Sequence, residues 1–263
     1  MLQFSALSSG SKANSIFVTD GETKLLIDCG LSARETEKRL RSIDVEAESI
    51  DAILITHEHS DHTSGVPVFI KKKKTALYAN KDTYYGSQTL RKANHDKWQE
   101  FHTGIDFKIG NLKIKPFSIM HDAKDPVAFR IENGSASMAV VTDLGVVTNL
   151  VKENLQNLDA IVLESNHDPV LLRECDYSWE LKQRIAARSG HLSNENAGEL
   201  LEYLMSTSGK QLKVAIAAHI SENSNHPSLA LESFHSAFLK TSGWELPEFI
   251  AADVYQHTRL YTI

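Results

Sequence analysis

The sequence predicts an α/β chain in which two β-sheets pack face to face and helices cover the outside. Three observations predict it. Two separate blocks are rich in short strands, and segments of helical periodicity follow each block. At 263 residues and 41% hydrophobic content, the chain is also long enough to bury a full core.

The first block comprises residues 2–7, 15–19 and 24–28, which are short, β-rich and separated by turn residues such as Asp20-Gly21. A helix is predicted over 32–42, with Ser32 as N-cap and Glu35 completing a capping box. A strand over 52–56, a short helix over 66–74 and a strand over 76–79 follow. Between Glu100 and Thr142 the chain reads as a meander. Segments 107–109 and 112–114 flank Gly110-Asn111, and 127–131 and 138–141 flank Asn133-Gly134. Next come a helix near 147–155, a strand over 160–164 and helices over 178–188 and 194–206. A strand over 214–218, a helix over 228–239 and late strands over 249–252 and 259–262 close the chain. No fixed-period repeat, low-complexity tract or long linker interrupts it, so one domain spanning 1–263 is expected.

The net charge of −6 does not announce a nucleic-acid binder, yet a local basic face can coexist with an acidic remainder. The lysine run 71–74 is the one charge block, read as a solvated face or a nucleic-acid contact. Cys29 and Cys175 lack metal-ligand spacing and suggest a reducing compartment. The N-terminal segment carries no signal-peptide pattern and no stretch is long enough to span a membrane, so a cytoplasmic location is expected.

The densest chemical signal is His57-Glu58-His59-Ser60-Asp61-His62, directly after the apolar run Ile53-Leu54-Ile55. It places metal ligands on a loop just past a strand end. His57 and His59 are two apart and can grip one metal, while Asp61 and His62 can face a second. Imidazole and carboxylate suit Zn²⁺, Mn²⁺ or Fe²⁺, and paired metals are a common device for hydrolysing phosphoesters, amides or thioesters. Further candidates stand at the ends of apolar strands: Asp28, His121, Asp143 and His219. Polar residues repeated at strand ends mark the rim of a sandwich, where function is grafted onto a fold.

The series His57-x-His59-x-Asp61-His62, His121, Asp143, His219, with Asp28 before it, resembles the ligand series of the metallo-β-lactamase superfamily. The resemblance covers essentially the whole chain. It implies an αββα sandwich with two divalent metals at one edge. His57, His59 and His121 would hold the first, Asp61, His62 and His219 the second, and Asp143 would bridge both opposite a hydroxide. Asp28 reads as a carboxylate behind a ligand histidine, fixing its tautomer. A β-CASP insertion is not expected, because the 76 positions from Asp143 to His219 are already filled by predicted helices and strands. A tRNA-processing-type arm is not expected either, because only 22 positions separate His121 from Asp143.

Two features lean toward nuclease relatives. Gly190-His191-Leu192-Ser193 opens a predicted helix and resembles a segment of the tRNA-processing enzymes. A helix start can receive phosphate, and His191 could protonate a leaving oxygen. Leu163-Glu164-Ser165 resembles the segment whose Glu orients that histidine. Longer stretches are similar to the YycJ/WalJ/VicX-type subfamily: Ser8-Ser9-Gly10-Ser11 with Asn14, the segment 177–185, Gly190-His191-Leu192-Ser193-Asn194, and 219–227. Lys12-Ala13 departs from the small residues expected there. That subfamily implies a bacterial cytoplasmic exonuclease acting 5′→3′ on double-stranded DNA, with a functional link to a two-component cell-wall regulatory system. Lys182, Arg184, Arg188 and Ser193 are the substrate-side candidates, with Arg184 and Arg188 four apart on one helix face toward a phosphate backbone. Two rival readings remain: a small-molecule hydrolase of a lactone, thioester or cyclic phosphodiester, and a regulatory protein whose metal site is structural.

Overall fold

The computed structural model describes residues 1–72, 74–93 and 95–263. Lys73 of the lysine run lies outside the described residues, as does the side chain of Lys72.

Each of two mixed sheets has seven strands. In the first, β1 (Gln3–Ser8), β2 (Ser15–Thr19), β3 (Lys24–Ile27), β4 (Ala52–Leu54), β5 (Ala76–Ala79) and β6 (Trp98–Glu100) lie side by side in chain order. β1, β2 and β3 are antiparallel, and β3 through β6 run parallel. The second sheet opens with the antiparallel meander β7 (Phe107–Ile109), β8 (Leu112–Ser118), β9 (Val127–Glu132) and β10 (Ser137–Val141). It continues in parallel through β11 (Ala160–Glu164), β12 (Val214–Ala218) and β13 (Glu248–Ala251). The chain end returns as β14 (Tyr261–Thr262) beside β1.

Helices α1 (Ala33–Arg41), α2 (Ser60–Thr63), α3 (Val66–Lys72), α4 (Lys81–Gly86) and α5 (Gln88–Arg91) connect the parallel strands of the first sheet. Helices α6 (Asn149–Asn154), α7 (Pro169–Glu174), α8 (Trp179–Ile185), α9 (Asn194–Thr207) and α10 (Pro227–Leu239) belong to the second half. The pleat sorts side chains into layers, because successive residues of a strand face opposite sides. Leu25, Ile27, Met138, Val140, Val162 and Ile216 meet in a core between the sheets. Their neighbours Ala139, Val141, Ile161 and Ala215 pack outward with α9 and α10 residues such as Leu201 and Phe234. Leu26 and Ile53 pack outward against Leu40 of α1 and Phe69 of α3. The result is the predicted helix–sheet–sheet–helix sandwich.

Three expectations need correction. The Ser32 hydroxyl accepts from the Glu35 N–H at 3.3 Å, but the Glu35 carboxylate turns along α1 to Arg39 Nε at 3.1 Å instead of closing a capping box. The strand predicted to include Asp28 stops at Ile27, because Asp28 has φ 62 and leaves the extended region. The helix predicted over 178–188 ends at Ile185, so Arg184 and Arg188 do not share a helix face. The chain there folds back over the helix end, where His191 N–H donates to Ile185 O at 2.9 Å. Gly190 permits that approach, since a Cβ on it would lie 2.2 Å from both Arg184 O and Ile185 O. Helices α2, α4, α5 and α7 and strand β6 are too short to leave a period in the sequence. Among the described residues no helix is long and apolar enough to cross a membrane.

Candidate active site

The ionisable residues gather beyond the carboxyl ends of the parallel strands. Asp28 follows β3, His57 lies past β4, Asp143 past β10, Glu164 ends β11 and His219 follows β12. Open α/β sheets place ligands at this rim. Asp28, Asp143 and His219 have φ values of 62, 59 and 53, in the left-handed region that non-glycine residues rarely adopt. Backbone strain of that kind persists only where the surroundings enforce it, and here it recurs at three points of one site.

Two groups of donors form. His57 Nε2 lies 3.1 Å from His59 Nδ1, which lies 3.3 Å from His121 Nε2. Beside them, His62 Nε2 lies 3.3 Å from Asp61 Oδ2, and His219 Nε2 lies 3.8 Å from the same oxygen. Asp143 stands between the groups, with Oδ2 3.2 Å from His62 Nε2 and Oδ1 3.7 Å from His121 Nε2. Donors bound to one tetrahedral ion at the usual metal–nitrogen distance lie about 3.3 Å apart. The spacings of the first group fit that geometry. Asp143 Oδ2 and His219 Nε2 are also buried with no hydrogen-bond partner. Orphaned buried acceptors are costly unless a cation satisfies them. The donor set is wholly N and O, which suits Zn²⁺, Mn²⁺ or Fe²⁺.

A second ring of partners aims the histidines. His62 Nδ1 lies 2.8 Å from Asp28 Oδ2, and that carboxylate also accepts from Thr56 N and Thr56 Oγ1, each at 2.9 Å. His57 Nδ1 meets Thr56 Oγ1 at 2.9 Å, and His121 Nδ1 meets Gly190 O at 3.1 Å. His219 Nδ1 lies 2.8 Å from Glu164 Oε1, and His191 Nδ1 reaches the same oxygen at 2.9 Å. Four histidines thus commit Nδ1 outward and present Nε2 to the centre, the arrangement that fixes tautomer and ring direction at metal sites. The cluster of Asp143, Glu164, His191 and His219 also has metal-like spacing. Its Nδ1 atoms are occupied by Glu164, so it is better read as an orienting network.

The charges are mutually sustaining. Burial would raise the Glu164 carboxyl, but His191 and His219 outweigh it and hold it down at about 2. Burial likewise opposes ionisation of Asp61 and Asp143, and the neighbouring histidines pull both below the ordinary carboxylate range. Burial drives His57 and His121 down, whereas the surrounding carboxylates outweigh burial at His62 and His219 and hold both up. For His191, burial favours the neutral ring, yet the Glu164 carboxylate prevails and raises its pKa.

Two residues outside the sequence-level candidate set complete the site. Asn14 Nδ2 lies 3.2 Å from Asp61 Oδ2 and 3.0 Å from His62 Nε2. Its carbonyl accepts from Ser9 Oγ and Gly10 N, which explains the Ser-Ser-Gly-Ser loop. Asp122 Oδ1 lies 3.3 Å from His121 Nε2. Its only sequence signal is adjacency to His121. The motif loop itself is clamped by backbone: Asn14 N–H donates to Asp61 O and Cys29 N–H to His62 O, both at 2.8 Å. A Cβ on Gly30 would lie 1.7 Å from Asp61 O. Gly30→Ala is therefore expected to destabilise the fold by about 2 kcal/mol or more, at the scale of forced overpacking. An unchanged denaturant midpoint would show that the clamp yields freely.

A cleft of about 310 Å³ opens over this rim, and His59, Asp61, His121, Asp143, His191 and His219 are among the residues that line it. Of the substrate-side candidates, Arg184 lines the cleft, its Nε and Nη2 2.7 and 2.6 Å from Asp122 Oδ2. Lys182 Nζ instead donates to Arg173 O at 2.8 Å, and Arg188 is exposed past the end of α8. Ser193 is buried and its hydroxyl accepts from Asn196 N–H as the N-cap of α9.

A family model described as the beta-lactamase superfamily domain matches residues 23–220. The chain belongs to this superfamily. It is a metal-dependent hydrolase of the metallo-β-lactamase fold. It is 37% identical over 231 residues to the exodeoxyribonuclease WalJ of Streptococcus pneumoniae strain D39, covering 87% of this chain and 85% of the relative. It is 34% identical over 248 residues to the exodeoxyribonuclease YycJ of Bacillus anthracis, covering 94% and 92%. The crystal structure of the metallo-β-lactamase fold protein YhfI from Bacillus subtilis superposes with a TM-score of 0.74 at 16% identity, covering 99% and 98% of the two chains.

Proposed function

We propose that the chain is a dinuclear-metal phosphodiesterase, an exonuclease that degrades double-stranded DNA from 5′ to 3′. One observation carries the chemistry. Two N/O donor groups flank Asp143, whose Oδ2 lies 3.2 Å from His62 Nε2 and Oδ1 3.7 Å from His121 Nε2, and His191 stands at the cleft with Nδ1 held by Glu164 at 2.9 Å. The near-full-length likeness to two relatives named exodeoxyribonucleases supports DNA as the substrate. One domain carries the activity. Between His121 and Asp143 the chain holds only the β9–β10 hairpin and its connections, consistent with the absence of a processing arm.

His57, His59 and His121 would hold one cation, Asp61, His62 and His219 the other, and Asp143 both. When bound, paired divalent cations supply positive charge for the phosphoryl oxygens and lower the pKa of water. The protein's own residues do the rest. Asp61, kept ionised and fixed by Asn14, orients the attacking water by accepting its hydrogen bond. His191 gives Nδ1–H to Glu164, which leaves Nε2 to deliver a proton to the departing 3′-oxygen. Asp28 and Thr56 hold His62 and His57 in register.

The deciding assay is digestion of end-labelled duplex DNA by metal-reconstituted protein, with small phosphodiesters in parallel. Progressive shortening from the 5′ end is expected. Turnover of the small esters with intact DNA would sink the nuclease reading. Elemental analysis of the reconstituted protein should find two ions per chain. Recovery of at most one tightly bound ion would count against the shared Asp143 site.

A further inference from the structure

Part of the cleft lining is apolar. Tyr177, Leu181 and Ile185 line the cleft, Leu181 and Ile185 one turn apart on α8 and Tyr177 just before its N-cap Ser178. All three are half-buried, and α8 buries none of its residues fully. An apolar helix stripe ordinarily packs onto a core. These residues line an open cleft together with the ionisable cluster. The stripe is also braced. The Tyr177 hydroxyl accepts from Asn223 Nδ2 at 2.7 Å, and Lys182 ties α8 to Arg173 O. Arg184 lines the same cleft, held through two of its five guanidinium donors by Asp122.

We propose that Tyr177, Leu181 and Ile185 form a nucleobase subsite. It receives the base of the 5′-terminal nucleotide, whose 3′-phosphodiester lies at the donor rim, while Arg184 offers its remaining donors to that phosphate. The proposal rests on the nucleic-acid reading of the site. The occupant follows from the cleft itself. A flat apolar ring belongs against an aromatic and aliphatic wall, and a phosphate belongs between an arginine and a cation-binding rim. A cleft of about 310 Å³ has room for one nucleotide. A terminal nucleotide seated there leaves the stack, and contact with Tyr177 compensates for the stacking it loses. The stripe makes no base-specific hydrogen bonds, so all four bases are accepted.

Binding is read by calorimetry on the metal-reconstituted protein, comparing a deoxyribonucleoside 3′-monophosphate with 2-deoxyribose 3-phosphate. The nucleotide should bind about tenfold more tightly, the scale of one base-stacking contact. Tyr177→Ala and Leu181→Ala should each bring the ratio toward one, with metal content, melting temperature and sugar-phosphate affinity unchanged. Tyr177→Phe should keep the ratio, because the ring and not the hydroxyl makes the contact. If Tyr177→Ala loses its fold, Leu181→Ala on the surface helix carries the comparison. A wild-type ratio of one, or a ratio that survives both alanine variants, overturns the subsite. Duplexes ending in an abasic nucleotide separate this inference from the function it rests on. Equal digestion of abasic and ordinary ends overturns the subsite alone. Undigested DNA with the expected binding ratio overturns the exonuclease reading and leaves the subsite standing.

Discussion

Asp61→Asn is expected to lower turnover by about a hundredfold or more while leaving the fold intact, the scale at which loss of a positioned catalytic group is felt. The fold is spared because Asp61 contributes to it through backbone: its carbonyl accepts from Asn14 N–H at 2.8 Å, and asparagine preserves that bond. What changes is the carboxylate. Its Oδ2 faces His62 Nε2, His219 Nε2 and Asn14 Nδ2 together. The histidines keep it ionised against burial. An amide has no negative charge to attract a cation or to align water. The second metal should weaken first, so turnover and metal content are measured together. Near-normal turnover with both metals bound would remove Asp61 from the mechanism.

His191→Ala should cut turnover on duplex DNA by about a hundredfold, the scale of one general acid, with both metals retained. Its loss should shrink on a nitrophenyl phosphodiester, whose stabilised phenolate departs without a proton. A structural role for His191 predicts equal proportional losses on both substrates, or lost metal and a lower melting temperature. The pH profile offers a second readout. Glu164 raises the His191 pKa, and a proton donor works only below its own pKa, so activity falls as pH rises through that value. Glu164→Gln removes the carboxylate and should move this alkaline limb to lower pH. The same substitution leaves His219 Nδ1 without its anionic partner, so a loss of metal affinity of about 10–100-fold accompanies it. An alkaline limb that stays put in Glu164→Gln would assign it to another group.

Much of the architecture was legible because period and chemistry agree. Strand pairs such as Ala160–Glu164 and Val214–Ala218 alternate between two cores and read as continuous apolar runs. The donor residues were legible for a related reason. His57, Asp143 and His219 each stand directly beyond such a run, where a rim must lie. The basic residues beside the cleft were not. Lys182, Arg184 and Arg188 look alike in sequence, and only the early end of α8 and the Asp122 contact separate them.

Local periodicity and residue type alone specify the paired sheets with their outer helices and the polar N/O groups at the strand ends. Only the tertiary structure decided that Asn14 reaches Asp61 across 47 positions and that one Glu164 oxygen serves both His191 and His219. Those contacts join residues far apart in the chain, at the ends of strands from both sheets. No local pattern encodes such convergence. It arises when the sheets pack through their shared core and the left-handed turns at Asp28, Asp143 and His219 aim the side chains inward.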